Sequence, residues 1–198
     1  MLPNIIICGK MASGKTTIKD IIMTLYPEYK HMAFGQKVKD VAKDLFNMNV
    51  KNRELLVKIG TAMRDIDANV WVNYIKRDIQ NNPSIPVIID DLRYQNEYDI
   101  ITEGTGTWFK INIDISSKLQ LKRLKETYPN NWEIHRKYIN HHSEGKKLKN
   151  IKYNLEINMD YYDKQNMELS KFKEYYKTIF LSELYKDANL ENLKSEDF

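Results

Sequence analysis

Gly9-Lys10-Met11-Ala12-Ser13-Gly14-Lys15-Thr16 matches the G-x-x-x-x-G-K-[ST] spacing in full, and Thr17 follows directly. A polyphosphate is held by several N–H donors converging on its oxygens, so the backbone must wrap more tightly than side chains usually permit. Glycines at both ends of the loop allow that, and the amides between them point inward. The candidate phosphate contacts are therefore Gly9, Ala12, Ser13, Gly14, Lys15, Thr16 and Thr17. Lys15 would reach the β- and γ-phosphates, and the Thr16 hydroxyl would serve Mg²⁺. Asn4 to Cys8 before the loop reads as a short buried strand. Thr17 to Leu25 after it carries apolar residues at helical spacing, which brings the positive end of a helix to the same point. Together these features predict binding of a nucleoside triphosphate.

A second group with chemical potential closes an apolar run, Pro86-Val87-Ile88-Ile89-Asp90-Asp91, with Arg93 two residues on. Such a run is the pattern of a central parallel strand, and ligands gather at the carboxyl edge of such sheets. Side chains alternate along a strand, so only one of the two acids should face the site. Asp91 is the expected one, sharing Mg²⁺ with Thr16. Arg93 offers a forked cation for a phosphate. Arginine is sparse among the 31 basic residues (Arg53, Arg64, Arg77, Arg93, Arg123 and Arg136), so each is weighed as a phosphate ligand. Lys37 and Lys39 open a helix as surface cations, with a site role kept open for Lys39. Trp71 is either core or a stacking platform for a base. The run His141-His142-Ser143-Glu144 invites a transition-metal reading, but no matching ligands accompany it elsewhere, and Mg²⁺ prefers oxygen.

These residues need elements to hold them. Lys30 to Phe34 reads as a second strand and Gly35 to Phe46 as a helix with Val38, Val41, Ala42 and Leu45 on one face. Asn52 to Asp67 has a helical pattern that Gly60-Thr61 interrupts and Arg64 closes. Asn69 is a plausible N-cap for Val70 to Ile79. Tyr94 to Gly104 reads as a helix, Gly106 to Ile115 as a fourth strand, and Lys118 to Thr127 as a helix capped by Ser116 or Ser117. Tyr128 to Asn150 is polar and reads as a lid or a partly helical excursion. Asn154 to Asn158 completes the strands, and Lys164 to Leu184 is a closing helix. Strands alternating with helices predict an α/β fold, three layers around a parallel sheet of about five strands.

The chain has 198 residues, within the ~100–200 expected of one domain. The expected organisation is a core over 1–50, 86–128 and 151–181, acceptor-binding helices over about 51–82, a lid over about 128–150 and an acidic tail over 182–198. The net charge is +4, and the tail is acidic, so the body is more basic than the total and suits anionic small molecules. No basic run with interleaved aromatics marks a nucleic-acid surface. No apolar run reaches the ~20 residues of a membrane span, and no secretion signal is visible at Met1-Leu2-Pro3-Asn4. Cys8 is the single cysteine and reads as a small core residue. These features point to the cytoplasm. Monomer and homodimer both remain compatible with the sequence.

A phosphate loop alone serves kinases, switches and motors. The Asp-x-x-Gly and Asn-Lys-x-Asp strings of a guanine-nucleotide switch are absent, and a motor needs more chain. A small phosphotransferase remains. The chain resembles the deoxynucleoside-monophosphate kinases of tailed bacteriophages and other viruses. The matching strings are Gly9 to Thr17, Phe34 to Lys39, Leu56-Val57-Lys58-Ile59-Gly60-Thr61 with Arg64, Trp71-Val72, Asp91-Leu92-Arg93-Tyr94-Gln95-Asn96-Glu97 and His142-Ser143-Glu144, in the family's order up to about Asn158. Two positions depart from it: Gln36 stands where the family often has an acid, and no second arginine follows Arg123. The resemblance implies transfer of the ATP γ-phosphoryl group to a deoxynucleoside 5′-monophosphate, with Mg²⁺, in a host cytoplasm if the protein is viral. It implies Lys15, Asp91, Arg64, Arg93 and Arg123 as catalytic, with Arg123 or Arg136 closing over the transferring group. Lys39, Arg64, Trp71, Arg93, Glu97 and Glu144 are implied as acceptor contacts. Kinases of other phosphorylated small molecules, such as animal-type phosphomevalonate kinase or dephospho-coenzyme A kinase, are the alternative. A nucleotide-responsive regulatory ATPase is a further one.

Overall fold

The computed structural model describes residues 2–137, 139, 148 and 151–187. Ile5-Ile6-Ile7 have no solvent-exposed surface, which is the signature of a strand covered on both faces. This strand, β1 (Asn4–Gly9), is central. It pairs in parallel with β3 (Val87–Ile89) on one side, Ile5 opposite Ile88, and with β4 (Trp108–Asp114) on the other, Ile5 opposite Phe109. β2 (Lys30–Met32) adds outside β3, and β5 (Leu155–Asn158) outside β4. The sheet has five strands in the order β2-β3-β1-β4-β5, all parallel.

Alternation along β1 divides the apolar side chains between two layers. Ile5 and Ile7 join a core with α1 (Lys15–Leu25) and α9 (Leu169–Asp187), where Phe109, Tyr176 and Phe180 are fully enclosed. Ile6 and Cys8 face the other layer, built from α2 (Phe34–Phe46), α3 (Arg53–Ile66), α4 (Val70–Asn81) and α5 (Gln95–Thr102). Burial pushes the Cys8 thiol up to about 11, despite a hydrogen bond with Tyr153 and the charge of Lys15, so it is an inert core group. α6 (Ser117–Thr127), α7 (Trp132–Arg136) and α8 (Met159–Lys164) complete the elements. Three helix starts follow directly from capping chemistry. Asn52 Oδ1 accepts from the Leu55 amide at 3.1 Å, Ser116 Oγ from Leu119 at 3.2 Å, and Asn158 Oδ1 from Asp160 at 3.0 Å.

The three-layer α/β expectation matches this architecture, with local differences. Gly60-Thr61 does not interrupt α3; the helix runs through it. Gly60 costs about 1 kcal/mol relative to alanine in a helix interior. Its carbonyl accepts from Arg64 Nη1 at 3.2 Å and Trp71 Nε1 at 3.3 Å. Asn69 precedes α4 without capping it, because its Oδ1 accepts from Asn96 at 2.8 Å instead. The closing helix begins at Leu169 rather than Lys164. Asn158 starts the short α8 straight off β5, and a left-handed turn at Asn166 (φ 46) separates the two helices. Within the polar stretch after Tyr128, Trp132–Arg136 is helical, and most of 138–150 lies outside the described residues, as do Glu144, the His141-His142 run and the acidic tail beyond 187. Among the described residues no helix is long and apolar enough to cross a membrane.

Candidate functional site

The loop from Gly9 to Thr16 leaves the carboxyl end of β1 and enters α1 through Gly14, whose φ of 106 is the left-handed conformation glycine adopts without cost. A side chain at Gly9 would put its Cβ 2.6 Å from Ser13 Oγ and 2.8 Å from the Ile113 carbonyl oxygen, so the loop closes only over a hydrogen. Ala12 also has positive φ (61), a strained conformation for a residue with a Cβ and one that turns successive amides to one side. Lys15 Nζ donates to the Gly9 carbonyl at 2.7 Å and the Lys10 carbonyl at 2.8 Å, folding the ammonium back over the loop. Two side chains of α6 brace the loop from outside. The buried Gln120 donates to the Met11 carbonyl at 2.9 Å, and Arg123 Nη1 to the Ser13 carbonyl at 3.2 Å. Arg123, expected over the transferring group, braces the phosphate loop and also lines the cavity beside it.

Beside the loop opens a cavity of about 740 Å³. The loop from Met11 to Thr17, Arg123 and Tyr128 form one wall, and Met159, Tyr162, Met167 and Phe172 supply flat and flexible apolar surface. Its size lies within the range of nucleotide-sized sites, and its wall suits a heteroaromatic base.

A second cavity, about 400 Å³, lies across the carboxyl ends of β2 and β3. Its lining brings together Lys39, Lys51, Arg53, Arg64 and Arg93. Burial, followed by the charges of Arg53, Lys39 and Arg93, holds the Lys51 pKa below the ordinary lysine value, so these cations lie within electrostatic reach of one another. The acids there are engaged by the protein. Glu97, 3 % exposed, accepts from Arg64 Nη2 at 3.1 Å, the Arg93 amide at 2.9 Å and the Tyr94 amide at 3.1 Å. Arg64 is thereby held on three sides, by Glu97, the Gly60 carbonyl and the Tyr94 ring 4.5 Å from its Cζ. Glu97, expected to touch the acceptor, lines the cavity and there holds the Arg64 guanidinium and the backbone amide of Arg93.

The paired acids at the end of β3 divide their work. Asp91 accepts from the Phe34 amide at 3.0 Å and the Gly35 amide at 2.7 Å, closing the first turn of α2. Burial and the neighbouring Asp90 charge push it up to about 6, against the pull of those amides and Arg93. Asp90 instead accepts from His31 Nε2 at 2.8 Å. Burial raises its carboxyl, but the hydrogen bond and charge of His31, with Lys15 and Lys19, outweigh that and hold it below the ordinary range. Both acids line the cavity; the charge of Lys15 bears on Asp90, while Asp91, the expected Mg²⁺ ligand, is engaged by the two amides. Thr16 and Asp90 offer oxygen donors, the chemistry Mg²⁺ takes, and among the described residues no cluster of three His, Cys, Asp or Glu forms a metal site by itself.

Trp71 was expected as an acceptor contact. It is 4 % exposed, lies in the core beneath α3 and α4 and is absent from the cavity lining, so the stacking role is withdrawn. Lys51 and His31 were missed, and Arg53 was not singled out among the six arginines. Arg53 had a signal: Arg53, Val57, Gly60 and Arg64 recur at spacings of four, three and four, one face of α3, and all line the cavity.

No protein-family model matches the chain, and no curated protein sequence matches it significantly. Solved structures do. A gluconokinase from Sinorhizobium meliloti 1021 superposes with a TM-score of 0.56 at 13% identity, over 98% of each chain. A putative kinase from Chloroflexus aurantiacus j-10-fl gives 0.56 at 14% identity, over 91% of this chain and 97% of that one. A sugar kinase from Janibacter sp. HTCC2649 gives 0.52 at 13%, over 93% and 95%. At these identities the likeness is one of fold, and it extends over nearly the whole chain.

Proposed function

From a fold shared with small-molecule kinases, we infer that the chain transfers the γ-phosphoryl group of ATP to a small acceptor that already carries a phosphate. The observation that carries this reading is the convergence of Lys39, Lys51, Arg53, Arg64 and Arg93 on one cavity at the sheet edge that also bears the phosphate loop. Five cations against Asp90, Asp91 and Glu97 in the same lining leave the cavity net positive, which suits an anionic ligand. Within this class, the resemblance in motifs favours a deoxynucleoside 5′-monophosphate. Trp71 is absent from the cavity lining, but Phe34 and Tyr94 line it and offer rings to a base; a phosphorylated acceptor without a base, such as phosphomevalonate, is the alternative.

The acceptor phosphate oxygen is itself the nucleophile, so no strong general base is required. The chain's task is alignment and charge neutralisation. Lys15 and the loop amides hold the donor phosphates; Arg64, fixed through Glu97, and Arg93 beside it hold the acceptor oxygens in line. Thr16 and Asp90 would hold Mg²⁺, which would supply charge neutralisation at the donor phosphates. Asp90→Asn is therefore expected to lower kcat about 10²-fold. Asp91→Asn should chiefly loosen the start of α2, costing about 1–2 kcal/mol in urea unfolding. Equal kinetic losses from the two substitutions would return the metal to both acids.

The deciding assay is ADP release from Mg-ATP with dTMP, dGMP, dCMP, dAMP, 5-hydroxymethyl-dCMP, phosphomevalonate or gluconate. Stimulation by deoxynucleotides supports the nucleotide acceptor, and by phosphomevalonate alone the base-free one. Stimulation by gluconate alone would overturn the phosphorylated-acceptor reading. Slow ATP turnover indifferent to every acceptor would make the chain a nucleotide-responsive ATPase.

A further inference from the structure

One imidazole joins the two cavities. His135, on α7, is 8 % exposed, and its ring stacks on Tyr128 with centroids 3.9 Å apart and planes 21° from parallel. Tyr128 lines the donor cavity. On its other side His135 Nδ1 lies 3.1 Å from Arg53 Nη1, and Arg53 lines the acceptor cavity. A guanidinium can only donate, so Nδ1 must present its lone pair and the single ring proton must sit on Nε2. Burial, then the charges of Arg53 and Lys51, holds the His135 pKa below the ordinary value and keeps the ring in this neutral form. A protonated ring would lose its acceptor and add a further cation to a cavity edge already crowded with them.

We propose that His135 is a positioning residue: its neutral ring, seated on Tyr128, aims the Arg53 guanidinium into the acceptor cavity and ties that cavity to the donor side. The inference rests on the reading of this cavity as the anion-binding acceptor site. The side chain of Arg53 is long and costly to order, so an acceptor atom at a fixed place lowers the entropy lost when an anion binds. The fixed place comes from the stack, and the stack belongs to the α6–α7 corner that borders the donor cavity. Neither the phosphate loop nor the Arg64–Glu97 pair takes part. Arg53 and His135 are separated by 82 positions in the chain.

His135→Phe keeps the ring and the stack but removes the acceptor; His135→Asn keeps an acceptor oxygen near Nδ1 but removes the ring. The probe is inorganic phosphate, titrated calorimetrically into protein saturated with Mg-AMP-PNP, so that the phosphate loop is already filled. His135→Phe should weaken phosphate binding about tenfold and His135→Asn should recover most of it. KM for an active acceptor should rise in parallel, with kcat and KM for ATP little changed. Nitrogen-15 spectra should show Nδ1 unprotonated and Nε2 protonated in the native chain, with the Nδ1 signal shifting in Arg53→Met. Equal losses from Phe and Asn, no loss from Phe, or a protonated Nδ1 would overturn the proposal. If Arg53→Met weakens phosphate while His135→Phe does not, the acceptor site stands and this inference falls. If neither Arg53→Met nor Arg93→Ala weakens it, the acceptor reading fails, and the inference falls with it.

Discussion

Lys15→Ala is expected to lower kcat for phosphoryl transfer about 10³-fold while leaving the fold cooperative. The ammonium is held over the loop by the carbonyls of Gly9 and Lys10, at 2.7 and 2.8 Å, and no apolar cluster depends on it. The substitution therefore removes a charge from the donor phosphates and little packing. The loop keeps its shape through Gly9, Gly14 and the struts Gln120 and Arg123. Single-turnover kinetics beside a urea melt check both halves. A loss below tenfold would mean that the loop amides and metal carry the donor charge without the lysine. A collapsed melt would mean that the lysine is a structural tie.

Glu97→Ala should cost about 3 kcal/mol of stability, a fall in Tm of roughly 9 °C for a chain of this size. One buried carboxylate serves a guanidinium and two backbone amides, and alanine strands all of them. Removing one member of a buried charge pair is far costlier than never having built it. The effect should also reach the acceptor, because Arg64 loses the partner that orients it; KM for the acceptor should rise with the melting loss. Glu97→Gln keeps one acceptor oxygen and should fall between the two. Differential scanning calorimetry together with acceptor titration tests this, and a stability loss under about 1 kcal/mol would contradict it.

The legible parts of the site are those whose geometry is local. The phosphate loop is dictated by backbone angles that only a few residues accept, so spacing alone reveals it. Arg93 and Glu97 meet within one turn of chain, and their string is recognisable as a unit. For Trp71 the sequence did contain the answer. Trp71, Ile75 and Ile79 recur every fourth residue and form the buried stripe of α4, which places the indole among core residues. Alternation gives Asp90 and Asp91 different partners, His31 and the α2 amides, and both still line the acceptor cavity, but it does not say which takes which. That depends on the layer that happens to cover each face. Lys51 and His135 belong to contacts between distant segments, where no short-range rule applies; Arg53 shared the face of α3 that carries Arg64.

The two cavities draw on separate stretches of the chain. Among the described residues, every group lining the acceptor cavity lies between His31 and Glu97, and every group lining the donor cavity lies within Met11–Thr17 or Arg123–Phe172. Because β1 stands between them, one stretch can be rewritten while most of the other is untouched, the exceptions being Arg53, which meets His135, and Asp90, which feels the charge of Lys15. Such a chain is divisible in inheritance: a change of acceptor needs substitutions in one uninterrupted block, whereas the triphosphate-handling parts can be kept whole. A chimera exchanging residues 31–97 for those of another member of the fold, with Arg53 and Asp90 retained, should carry the acceptor preference with the block and leave ATP affinity with the recipient.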